Sequence, residues 1–120
     1  MENKDNDMDW LLDCMVEYLK SPMWTTEICS FIDFHCVFFA GDVSDENSLE
    51  FTTIHNDFKS IVEVKLDGFC AEFGIDHELF VKACSKISNR VHQKCIDQLI
   101  AVDNFMLFKK MMVQRNTKLN

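Results

Sequence analysis

The sequence predicts an all-α fold, a single-domain bundle of about six helices spanning residues 1–120. Three observations carry this. The chain has only three Gly and one Pro, with no low-complexity tract or repeat, so almost every segment belongs to a packed element. Its 48% hydrophobic content suits one compact core at this length. Apolar residues recur at three- and four-residue steps, the period of an amphipathic helix.

The first helix is expected from about Asp7 to Lys20, with Met8, Leu11, Leu12, Met15, Val16 and Leu19 on one stripe, and Ser21 and Pro22 end it. Residues 1–7 are expected to be flexible. A second helix carries Trp24, Ile28, Phe31, Ile32, Phe38 and Phe39, with Ser21 or Thr25 as N-cap and Gly41 as stop. Thr52 or Thr53 can cap a long third helix whose apolar face is Ile54, Phe58, Ile61, Val62, Leu66, Phe69, Cys70 and Phe73. Gly74 is a suitable C-terminal residue for it.

Asp76 caps a short fourth helix with Leu79, Phe80, Ala83, Cys84 and Ile87, and a break near Ser88 and Asn89 precedes a fifth with Val91, Cys95, Ile96, Leu99 and Ile100. Asp103 is placed to cap the sixth. There Phe105, Met106, Leu107, Phe108, Met111, Met112 and Val113 leave little of the circumference polar. Such a helix must be covered on more than one side, by its own domain or by a partner. The two adjacent methionines suit an adaptable binding surface.

Net charge is −8, which opposes binding to phosphate backbones and anionic lipid heads. Lys109, Lys110, Arg115 and Lys118 cluster near the C-terminus, and their simplest role is to complement the negative end of the last helix in solvent. No apolar run approaches the ~20 residues of a membrane span. The charged first nine residues do not resemble a secretory signal. The chain is therefore expected to be soluble and intracellular. Its six cysteines include no CxxC pair and fall mostly on apolar faces, the pattern of buried reduced thiols.

Catalytic and cofactor chemistry finds no foothold. No Ser or Cys stands beside an oriented base at a tight turn, and the three glycines cannot form a phosphate-cradling loop. The acidic stretch GDVSDENSLEFTT from Gly41 fails as a calcium loop: counted from Asp42, Asn47 stands where Gly is needed and Thr53 where a bidentate Glu is needed. His92 and Cys95 share a helical face and His35 adjoins Cys36, but zinc needs about four converging ligands. His35 reads as a core histidine and His55 as support for the start of the third helix, while Asp33, Glu63 and Asp67 read as solvated. No cofactor and no metal is expected.

The segment ENSLEFTTIHNDFKSIVEVKLDGF, Glu46 to Phe69, resembles the signature of the BART-like domain, a family of binders of Arf-like small GTPases. An acidic segment leads to Leu49, the pair Phe51 and Thr52, and Ile54, followed by His55, Phe58 and Val62. DNFMLFKKMMVQRN is similar to the family's DFxxFKxMM element, with an extra residue between Asp103 and Phe105. DWLLDCMVEYLKSPMW and FIDFHCVFF also fit, particularly the cilia- and flagella-associated branch. Longer members of that branch continue into a charged coiled-coil tail, so this chain resembles an isolated domain or a short member.

The resemblance implies a non-enzymatic effector or adaptor, in cytoplasm or cilium, that recognises an Arf-like small GTPase in its GTP-bound state. It implies that the GTPase's N-terminal amphipathic helix lies in an apolar groove. That groove is expected between the third, fifth and sixth helices. Ile54, Phe58, Ile61, Leu99, Phe105, Phe108, Met111 and Met112 are its candidate residues, with ordinary core packing as the alternative for each. The competing function is a helical scaffold that self-associates through the sixth helix. Neither nucleic acid nor direct membrane insertion is expected.

Overall fold

A computed structural model describes residues 4–40 and 49–119. Among the described residues six α-helices follow in order: α1 (Lys4–Lys20), α2 (Pro22–His35), α3 (Leu49–Phe73), α4 (His77–Cys84), α5 (Gln93–Ala101) and α6 (Phe105–Leu119). A 3₁₀ turn, Cys36–Phe39, extends α2. The all-α expectation therefore stands, with no strand among the described residues. The acidic stretch 41–48, and with it the Gly41 stop and the calcium-loop question, lies outside the described residues. So does part of the segment 1–7 expected to be flexible.

Helix ends follow local chemistry, with three departures from the sequence reading. Asp76 caps α4 as expected, its Oδ1 accepting from the Leu79 N–H at 2.8 Å. Gly74 ends α3 at φ +67°, a left-handed conformation that side chains disfavour. The first departure is the start of α3, at Leu49 rather than after a threonine cap. Thr53 lies inside the first turns, and its hydroxyl donates back to the Leu49 carbonyl. The second concerns α6, where Asn104 and not Asp103 is the cap, accepting from the Leu107 N–H at 2.9 Å. In the third, Ser21 is the N-cap of α2 as expected but makes no side-chain cap bond: its hydroxyl donates to the Tyr18 carbonyl at 2.7 Å, and Pro22 opens the helix.

The end of α2 also departs from an uninterrupted helical stripe. Cys36 and Phe39 are both buried, whereas Phe38 is exposed. In a 3₁₀ turn side chains three apart eclipse, so Phe39 stays on the face of Cys36 and Phe38 swings outward.

Buried side chains from every helix join one core. Its largest fully enclosed members include Trp24, Phe39, Phe58, Phe80 and Phe108. Each such burial contributes roughly 1.5–3 kcal/mol. Helix α6 packs against the 3₁₀ turn, α5, α2 and α3. That is how the fold covers a helix apolar on most sides: Phe108 and Met112 are fully enclosed, and Phe105, Leu107, Met111 and Val113 are half-buried.

Polar contacts tie the layers together at their edges. The Tyr18 hydroxyl of α1 donates to the Lys65 carbonyl of α3 at 2.9 Å. The Lys65 ammonium reaches α2 twice, donating to the Met23 carbonyl at 2.8 Å and pairing with Glu27 at 3.1 Å. Arg90, after α4, pairs with Asp13 of α1. Among the described residues no helix is long and apolar enough to cross a membrane.

Candidate partner-binding site

The eight candidate residues separate by burial. Ile54, Phe58, Leu99, Phe108 and Met112 are core side chains, and Phe58, Phe108 and Met112 have no exposed surface. Ile61 and Met111 are half-buried and packed on that core, and Phe105 is half-buried. Phe58, Phe108 and Phe105 are nonetheless neighbours. Phe108 sits 5.1 Å from Phe58 and 4.7 Å from His55 between ring centroids, and His55 is 5.5 Å from Phe105. Helices α3 and α6 thus share an aromatic seam whose outer edge is Phe105.

His55 holds that seam. Its buried ring bonds through Nε2 to the Ala101 carbonyl at 2.8 Å, joining α3 to the end of α5. The carbonyl accepts, so Nε2 carries the proton. This corrects the expectation that His55 serves its own helix end. Lys109 requires a second correction. It was read with the solvated cations of α6, yet it is 2% exposed, with its ammonium over the Phe51 ring at 5.7 Å from the centroid.

Asp33 and Arg115 are a third case. Read as solvated, they form an ion pair from α2 to α6, Nε to Oδ1 at 2.7 Å and Nη2 to Oδ2 at 3.3 Å. Asp67, also read as solvated, pairs with His77 across the α3–α4 turn. His35 is half-buried as a stacked partner of Phe31, ring centroids 4.0 Å apart, and its Nδ1 bonds the Phe31 carbonyl.

A groove of about 900 Å³ runs between α2, α5 and α6. Ile32, Leu107, Met111 and Val113 supply its apolar lining. It lies on the α2 side of α6 and not on the α3 side expected for the partner groove. Of the eight candidates only Met111 lines it. Leu107 and Val113 are recognisable in the sequence as apolar residues of α6, but their pairing with Ile32 depends on how α6 packs against α2. A second apolar surface, Phe34, Val37 and Phe38, is exposed where α2 gives way to the 3₁₀ turn.

The cysteines are free thiols. Cys36, Cys70 and Cys84 are buried as expected, whereas Cys29 is exposed. Burial pushes Cys84 up to about 12 and Cys95 up to about 11. Neither is an activated nucleophile. Among the described residues no group of three or more His, Cys, Asp or Glu is placed to hold a metal ion.

Comparison with known proteins adds a family and a relative. Residues 7–120 match the family model described as the ARF-like 2 binding protein BART. The Cilia- and flagella-associated protein 36 of Caenorhabditis elegans is 26% identical over 116 residues, covering 91% of this chain. The matched stretch is 16% of that relative's own length.

Proposed function

The chain belongs to the BART family, and from that premise we propose that it is a non-enzymatic binding module for an Arf-like small GTPase in its GTP-bound state. The observation that carries the reading is the extent of the family match, which takes in all of α2 to α6 and most of α1. The relative named for cilia and flagella supports a ciliary or flagellar setting.

The partner's N-terminal amphipathic helix is the element recognised. Its apolar anchors at i, i+3, i+4 and i+7 meet half-buried side chains on the domain, with Ile61, Phe105 and Met111 as the accessible contacts. Ile54, Phe58, Leu99, Phe108 and Met112 form the packed floor behind them. Dependence on GTP arises because the GTPase releases that helix in one nucleotide state only, so the domain selects the state in which it is free. Co-elution of the domain with an ARF-like 2 GTPase carrying a non-hydrolysable GTP analogue, but not with its GDP form, is the expected result. Absence of binding in both states across a panel of Arf-like proteins would remove the effector reading.

One observation favours a second reading. The exposed trio Phe34, Val37 and Phe38 would suit a scaffold that self-associates without nucleotide. Molecular mass rising with concentration in the domain alone would support that reading.

A further inference from the structure

We propose that the groove between α2, α5 and α6 is a second docking site, which takes an acidic amphipathic helical segment of a partner protein. Its distinctness comes from its lining, since the surface proposed for the GTPase helix shares only Met111 with it. Its apolar part, Ile32, Leu107, Met111 and Val113, is bordered by Lys94, Lys110 and Lys118. At about 900 Å³ it is near the top of the ~300–1,000 Å³ range of ligand clefts, room for several side-chain anchors.

Charge identifies the occupant. Helix α6 carries Lys109, Lys110, Arg115 and Lys118 and no acidic residue. In a chain of net −8, its four positive charges leave the remainder at −12. The domain as a whole repels an acidic partner, and the α6 groove is where that repulsion reverses. Two acids line the groove against four cations, Lys94, Lys110, Arg115 and Lys118, so the lining carries a net charge of +2. Asp33 is held by Arg115, and Asp97 accepts from Gln93 Nε2 at 3.0 Å. Among the described residues Lys94, Lys110 and Lys118 belong to no ion pair. They present positive charge beside an apolar strip. A helix with leucine-like anchors on one ridge and Asp or Glu flanking it satisfies both features at once, and the lysines set its orientation.

The test uses two synthetic peptides with one apolar ridge in common, one flanked by Glu and the other by Lys, titrated into the intact domain by fluorescence anisotropy at low salt. The Glu-flanked peptide should bind about tenfold tighter, a preference that three exposed ion pairs can supply. The preference should shrink with added salt. It should also invert in the triple variant Lys94→Glu, Lys110→Glu, Lys118→Glu, whose three sites are exposed and whose helical circular dichroism should match wild type. Equal affinities, binding of neither peptide, or a preference that survives the triple reversal would overturn the proposal. So would a concentration-dependent dimer that the triple reversal dissolves, or binding to phosphatidylserine vesicles in place of either peptide. No GTPase enters this measurement, so its outcome and that of the effector reading are independent.

Discussion

Arg115 of α6 grips Asp33 of α2 through two parallel hydrogen bonds, 2.7 Å from Nε to Oδ1 and 3.3 Å from Nη2 to Oδ2. Both residues line the α2–α6 groove, and the partnership raises the Arg115 guanidinium further above its ordinary value. Because both groups are partly in solvent, the pair contributes geometry more than stability. Arg115→Gln should leave the thermal midpoint close to wild type while loosening the C-terminal half of α6. Faster amide hydrogen exchange over residues 111–119, with α3 unchanged, is the expected signature.

Phe108 and Met111 should separate core from contact. Phe108→Ala removes a fully enclosed ring and should cost about 3–5 kcal/mol in urea unfolding. Met111→Ala trims a half-buried side chain and should cost less while weakening binding of the GTPase. Equal destabilisation by the two would place Met111 with the core.

His55→Leu tests the seam between α3 and α5. The substitution keeps the volume roughly constant but leaves the buried Ala101 carbonyl only its longer bond from the Asn104 N–H, 3.3 Å, at a cost of about 1 kcal/mol. His55→Asn, shorter but still able to donate, should recover little, because Nε2 is the atom that reaches.

The buried thiols give the fold an alkaline limit. Cys84 stands at about 12 and Cys95 at about 11 against an ordinary value of 9.0, so the folded state holds protons that the unfolded chain releases. Their contribution is fully present below about pH 9 and is lost as pH rises through the folded values. Urea midpoints measured upward from neutral pH should be flat to about pH 9 and then fall. At neutral pH a thiol-specific reagent should label exposed Cys29 well before Cys84.

Much of this architecture is legible in the sequence where local chemistry decides it. The apolar period marks α1 to α6, Asp76 marks a helix start and Gly74 a helix end, because each signal lies within one turn of the feature it sets. What was not legible depends on distant partners. His55 bonds a carbonyl 46 residues away, and the cover over Lys109 includes Phe51 on another helix. Phe38 turned outward because the chain tightened from 3.6 to about three residues per turn, a change that no residue type announces. For the same reason the groove could not be located: its walls follow from α6 packing on α2 as well as on α5 and α3.

The most direct test of the central claim is a calorimetric titration of the domain with an ARF-like 2 GTPase in three forms. These are the GTP-analogue-loaded protein, the GDP-loaded protein, and the GTP-analogue-loaded protein lacking its N-terminal helix. Heat of binding from the first alone is the predicted result. Equal binding of all three forms would contradict recognition through a released helix, and silence from all three would contradict the effector role itself.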